Sequence, residues 1–186
     1  YGMQVQNTLK KAATLDIRII CPLHGPIWRD NLGYFIEKYD RWSKYEPEVK
    51  GVLIVYASIY GHTEAAANHI ALRLSENGVK ELAMYDASHT DVSYLVSESF
   101  KYSHLVLASS TYNNGIYTPM ENYLMELKYH NLQNRRIAII ENGSWAPQSG
   151  KLMRALLDEM KQMEVISEPV SFKSALKNSQ SASIDM

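Results

Sequence analysis

From Gly51 to about Phe172 the chain alternates between short apolar runs and segments in which apolar residues return every three to four positions. "GVLIVYAS" (51–58) is apolar almost throughout, the pattern of a parallel strand covered on both faces. A helix is predicted over 63–77, stopped by Asn77-Gly78. "VKELAMYDAS" (79–88) reads as a second strand, and 91–100 as a short helix. "SHLVLASS" (103–110) gives a third strand, and "TPMENYLMELKYH" (118–130) a helix with Pro119 in its first turn. "RRIAIIENGS" (135–144) is a fourth strand, and "GKLMRALLDEMKQM" (150–163) a helix with Leu152, Leu156, Leu157 and Met160 on one face. "EVISEPVSF" (164–172) supplies a fifth strand before a polar, serine-rich tail.

Strands alternating with helices imply an α/β fold, a doubly wound five-stranded parallel sheet with right-handed crossovers. Five strands suggest the order 2-1-3-4-5; a six-strand Rossmann order needs more chain. Residues 1–50 stand outside this rhythm. They read as a helix to about Leu15, a strand "DIRIICP" (16–22), a loop "LHGPIWRD" (23–30), an aromatic helix "YFIEKYDRWSKY" (34–45) and a charged linker "EPEVK". The expected division is 1–47 and 48–186. The opening "YGMQVQNTLKKAATL" reads as the middle of a helix, so a fragment of something longer is expected.

A length of 186 residues and 46% hydrophobic content suit one well-buried domain and an appendage. Nineteen basic and 20 acidic residues leave a net charge of -1, which argues against nucleic acid or an anionic membrane as partner. No apolar run reaches the roughly 18 residues of a membrane span. Cys21 is the only cysteine, which excludes an internal disulfide, a CxxC pair, a rubredoxin-type iron site and a Cys-ligated iron–sulfur cluster. It reads as a small buried residue, and a reducing cytoplasm is the expected location.

Ligands of open α/β sheets bind at the carboxyl ends of the strands, near the point where strand order reverses. There the first strand runs into "SIYGHT" (58–63). Ser58 and Thr63 offer hydroxyls, Gly61 permits a tight turn, and the following helix presents unpaired N–H groups. Neither GxxxxGK[ST] nor GxGxxG is present, and the next basic side chain is Arg73. The loop is therefore either an ordinary capped turn or a cradle for one terminal phosphate held without cations. The next strand ends carry "SSTYNNGIYTPME" (109–121) and "ENGSWAPQSGK" (141–151), both long, polar and aromatic. Three such neighbouring loops favour a planar, hydrogen-bonding ring attached to a phosphate.

"YASIYGHTEAAANHIA", "SSTYNNGIYTPMENYL" and "ENGSWAPQSGKLMRALL" together resemble the three FMN-binding loops of flavodoxin-like domains, specifically those of flavodiiron proteins. "IICPLHGPIWR" (19–29) is similar to the end of the metallo-β-lactamase-like domain that precedes the flavodoxin domain in that family. The resemblance implies that 1–47 is the remnant of that domain and that 48–186 binds FMN. It places Ser58, Ile59, Tyr60, Gly61, His62 and Thr63 around the phosphate. Tyr60 departs from the threonine usual in simple flavodoxins, and Glu64 is expected to face solvent. Thr111, Tyr112, Asn113, Asn114 and Gly115 fall at the ring and ribityl chain, with a reorienting peptide near Asn114-Gly115. Asn142, Gly143, Ser144, Trp145 and Ala146 fall on the pyrimidine side or ring face, with Trp145 as stacking platform. His24 corresponds to a diiron ligand in the intact parent; the HxExDH stretch that would complete the site does not occur here, so His24 is expected to carry no metal in this chain.

The resemblance further implies an electron relay from an external redox protein, such as rubredoxin or its reductase, to a diiron centre that reduces oxygen or nitric oxide. It also implies a homodimer or higher oligomer. The competing reading is a stand-alone NAD(P)H-dependent flavin or quinone reductase, marked by turnover of NADH. A phosphoacceptor receiver wants acidic residues after strand 1 and an aspartate ending strand 3, where this chain has Ala57-Ser58 and Ser109-Ser110. A hydrolase of metallo-β-lactamase type lacks its ligands. Finally, 103–120 and 142–150 contain no Asp or Glu. With no carboxylate to oppose an anionic reduced flavin, the two one-electron steps are expected to lie close together.

Overall fold

The computed structural model describes residues 2–177. The chain divides into two compact units, one running to Glu48 and the other from Val49.

The first unit pairs α1 (Gly2–Ala12) with α2 (Leu32–Ser43). Gln6 Nε2 donates to Asp40 Oδ1 at 2.9 Å and to Ser43 Oγ at 2.8 Å, clasping the two helices. Lys44 on Asp40 pulls the Asp40 carboxyl below its usual range. None of its described residues is buried, and Leu15, Leu23 and Ile27 are exposed. The strand expected over 16–22 does not form; only an isolated antiparallel bridge joins Ile20 to Trp28. A lone segment ending in Pro22 has no neighbouring ladder to join. Cys21 is exposed, not buried, because this stretch has no core to enter.

The second unit begins with β1 (Val49–Ala57), α3 (His62–Glu76), β2 (Leu82–Asp86), α4 (Val92–Lys101) and β3 (Tyr102–Tyr112). It continues with β4 (Gly115–Ile116), α5 (Thr118–Tyr129), β5 (Arg135–Gly143), α6 (Ser149–Asp158), β6 (Met163–Val165) and β7 (Val170–Lys173). The strands lie in the order β2-β1-β3-β5, with β6 and β7 following one another along the outer edge of β5, all parallel. With the small β4 set aside and β6 and β7 taken as one interrupted strand, this is the order 2-1-3-4-5.

The apolar run of β1 is explained by burial on both sides of the sheet. Leu53 and Val55 join Leu105, Leu107, Ile137 and Ile139 beneath Leu95, Tyr123, Leu124, Met153 and Leu157 of α4, α5 and α6. Ile54 and Tyr56 point the other way, with Val106, Ala108, Ile140 and Phe172, against Ala66, Ala67 and Ile70 of α3. At the end of α4 the fold uses an unusual cap, the buried Arg135. Its guanidinium donates to the carbonyls of Ser99 (3.0 Å), Phe100 (2.8 Å), Gln133 (2.9 Å) and Asn134 (2.9 Å). Burial draws its pKa down to about 10.

In the second unit three boundaries differ from expectation by more than two residues. β2 is confined to Leu82–Asp86. Before it, Gly78 turns at φ 85° as Val79 N bonds Leu74 O; after it, Asp86 Oδ1 accepts from Ser88 N at 2.8 Å and bends the chain away. α6 ends at Asp158, five residues early, because the chain must reverse through Gln162 (φ 53°) to enter β6. The fifth strand breaks around Pro169, which has no N–H for the ladder. Among the described residues no helix is long and apolar enough to cross a membrane.

Candidate cofactor-binding site

Where β1 ends, Gly61 takes φ 84° and caps α3. Ser58 Oγ accepts from Gly61 N at 3.0 Å, which fixes the loop and leaves the Ser58 hydroxyl proton available to a ligand. The first residue to donate back along the helix is Ala65, to Gly61 O at 2.9 Å. The N–H groups of His62, Thr63 and Glu64 are therefore unused inside the helix and lie at its positive end. Glu64 is exposed, and its carboxylate accepts from the Tyr56 hydroxyl at 3.3 Å. Burial, with Glu64 and Asp86 adding negative charge, pushes the Tyr56 hydroxyl up to about 12, so it stays a donor. Thr63 is fully buried; its Oγ1 shares a 2.8 Å hydrogen bond with Ser110 Oγ and receives Asn142 Nδ2 at 3.3 Å.

The loop after β3 is a two-residue hairpin. Asn113 (φ 48°) and Asn114 (φ 59°) form its turn, and Tyr112 pairs with Gly115. The left-handed positions are thus 113 and 114. Gly115 follows as a strand residue paired with Tyr112. Tyr112 packs edge-on against Tyr117, with ring centroids 5.9 Å apart.

Two side chains from strand ends hold the start of α6. Thr111 Oγ1 accepts from Gln148 N at 2.9 Å and from Ser149 N at 3.2 Å. Glu141 Oε2 accepts from Gly150 N at 2.8 Å. The carboxylate that ends the fourth long strand is therefore spent on a helix terminus. A Cβ on Gly150 would lie 2.8 Å from that same oxygen and 3.0 Å from Pro169 Cβ, so a larger residue would displace the carboxylate. Between these anchors the loop carries Trp145, 89% exposed, at its tip.

These loops enclose two adjoining cavities. One, of about 190 Å³, is bounded by Ser58, Ile59, Tyr60, His62, Thr63, Ser110, Thr111, Asn142, Gly143, Ser144 and Ser174. The other, of about 390 Å³, is bounded by Thr111, Asn113, Asn114, Gly143, Ser144, Trp145 and Ala146. Thr111, Gly143 and Ser144 form the shared wall. Thirteen of the sixteen expected residues border one cavity or both. Gly61, Tyr112 and Gly115 border neither. Ser110 and Ser174 border the smaller cavity and were not expected. Ser110 stands in a loop already singled out, whereas nothing in "SFKS" distinguishes Ser174.

The donor set fits FMN. The smaller cavity has helix N–H groups and hydroxyls with no Lys or Arg in its lining, suited to a single phosphate. The larger has an exposed indole and the asparagine hairpin, suited to a ring with polar edges. His24, in the first unit, is exposed, and among the described residues no group of three or more His, Cys, Asp or Glu could hold a metal ion.

A parallel sheet in this order, with a hydroxyl- and amide-lined cavity at its first strand–helix junction and an indole-edged one beside it, defines a flavodoxin-like domain. The chain belongs to the flavodoxin family, whose model matches residues 54–163. It is 34% identical over 124 residues to an uncharacterized protein of Methanocaldococcus jannaschii, covering 67% of this chain and 31% of that one. It is 28% identical over 155 residues to a nitric oxide reductase of Moorella thermoacetica, covering 83% and 38%. The flavodiiron protein from Giardia intestinalis superposes with a TM-score of 0.91 at 23% identity, over 100% of this chain and 46% of that one. The chain thus has the fold of a stretch of a protein named as flavodiiron and resembles in sequence a protein named as a nitric oxide reductase. The chain spans about a third of the length of these curated relatives.

Proposed function

We propose that the unit from Val49 onward holds FMN across the two cavities and relays electrons within a flavodiiron oxygen or nitric oxide reductase. The observation that carries this reading is the shared wall: an anion cradle and an aromatic-edged groove lie side by side at adjacent strand ends and have Thr111, Gly143 and Ser144 in common. Ser58, with the N–H groups of the loop and of the first turn of α3, would bind the phosphate. Asn113, Asn114, Ser144 and Ala146 would border the ring, with Trp145 stacked on it. Bound FMN would supply reversible one- and two-electron chemistry, for which no acid or base residue is needed. Thr111 and Glu141 hold the wall between the cavities in place through α6, and the Tyr56–Glu64 bond keeps a carboxylate from the phosphate.

The comparisons support this reading through a relative named as a nitric oxide reductase and a structural neighbour named as a flavodiiron protein. The unit ending at Glu48 would be the tail of the iron-bearing domain, with His24 as one of its ligands in the parent. A separate redox protein, such as rubredoxin or its reductase, would supply the electrons, and parent subunits would pair head to tail so that flavin and iron meet.

The test is reconstitution of the purified protein with FMN, followed by an absorption spectrum and chromatography of the released cofactor. One FMN per chain, bound at micromolar concentration or below and reduced by reduced rubredoxin, is the expected result. Folded protein that refuses FMN at that concentration overturns the reading. Sustained oxidation of NADH without a partner protein would replace the relay with the reductase.

A further inference from the structure

The phosphate-sized cavity is walled by one residue from outside the three loops, Ser174. β7 pairs with β5 so that Lys173 lies opposite Gly143, which delivers the next residue to the cavity rim. Ser174 there adopts φ 58°, a left-handed conformation that L-residues avoid unless their surroundings impose it. Its carbonyl is held by Asn142, itself only 6% exposed. Asn142 Nδ2 donates to Ser174 O at 3.1 Å and to Thr63 Oγ1 at 3.3 Å. One amide thus ties the residue after β7 to the first turn of α3. Meanwhile Ser174 is exposed, and its hydroxyl has no hydrogen-bond partner among the described residues.

A strained residue, fixed by its carbonyl and carrying an uncommitted hydroxyl at the edge of a cavity without Lys or Arg, has the make-up of a ligand donor. The geometry points to Ser174 as a fourth-segment donor to the phosphate of the flavin, with Asn142 as its positioning residue. This rests on the FMN reading and deepens it, because the two residues would add to the preference for FMN over riboflavin. One hydrogen bond to a charged phosphate corresponds to about tenfold in affinity.

The experiment measures dissociation constants of the apo-protein for FMN and for riboflavin by flavin fluorescence, in wild type, Ser174→Ala, Ser174→Gly, Asn142→Ala and the double variant Asn142→Ala/Ser174→Ala. Ser174→Ala weakens FMN about tenfold and riboflavin less than twofold. Ser174→Gly, which removes the hydroxyl but relieves the backbone, does the same with no loss of thermal stability. In the Asn142→Ala background, loss of the Ser174 hydroxyl changes FMN affinity less than twofold, since the donor is already misplaced. Unchanged FMN binding in both Ser174 variants overturns the donor role, as does equal weakening of both flavins. A full tenfold effect of Ser174→Ala in the Asn142→Ala background overturns the positioning role. Wild type that binds no FMN would instead remove the underlying reading.

Discussion

Thr111→Val separates a cofactor contact from a helix cap. Valine keeps the shape of threonine and removes the Oγ1 that accepts from Gln148 N at 2.9 Å and Ser149 N at 3.2 Å. Loss of a helix cap costs about 1 kcal/mol. The Ser149 amide is partly buried, and leaving it unpaired costs about 1–2 kcal/mol more. The sum is about 2–3 kcal/mol, taken from the segment that carries Trp145. With a slope of about 2 kcal/mol per molar urea, the unfolding midpoint of the apo-protein falls by about 1 M. Thr111→Ser keeps the acceptor and gives up one methyl, for about 0.8 kcal/mol or less. Urea denaturation followed by circular dichroism measures both. A Thr111→Val protein as stable as wild type, with FMN affinity reduced tenfold or more, would show that the hydroxyl serves the ligand and not α6.

Arg135→Met leaves four carbonyls without their donor and is expected to cost about 3 kcal/mol or more, with Arg135→Lys intermediate; a thermal shift equivalent to less than 1 kcal/mol would refute the capping role. Asp91 caps α4 through Ser93, and those hydrogen bonds lower its carboxyl below 3.8. The unfolded chain therefore binds the proton first, and the stabilisation is present above pH 3.8 and lost as pH falls through the lowered value. The stability difference between wild type and Asp91→Asn should shrink over that window in acid melts; a constant difference would count against it. In a redox titration of FMN-loaded protein the two electron steps should lie close together, because Glu141 is held at α6 and 103–120 and 142–150 contain no Asp or Glu; two widely separated waves would refute this.

How far the sequence could be read follows from which interactions are local. β1 was legible because Leu53 and Ile54 are buried on opposite faces, so the run has no polar position to blur it. The turn at Gly61 and the stop at Gly78 were legible because both sit at positive φ, where few residues go. The early end of α6 was not, since "EMKQM" (159–163) favours helix at every position and only the return into β6 overrides it. Residues 16–22 have the apolar content of a strand but no ladder partner, which is a property of neighbours. At the site, residue types and loops were legible, but hydrogen-bond partners were not. Thr111 and Asn142 read as flavin contacts, yet their recorded bonds run to Gln148, Ser149, Thr63 and Ser174, distant in sequence. Ser174 follows a strand interrupted by Pro169, and no local pattern links it to a loop more than a hundred residues earlier.

The lining of the smaller cavity contains no Lys or Arg. Oriented amides and hydroxyls act over a few ångströms, whereas a lysine would draw in anions from a full Debye length away. Such a cradle is nearly silent to the crowd of nucleotides and metabolites in its surroundings and answers only to a molecule whose other end also fits. Selectivity then resides in shape and contact, and a rise in ionic strength has little to screen.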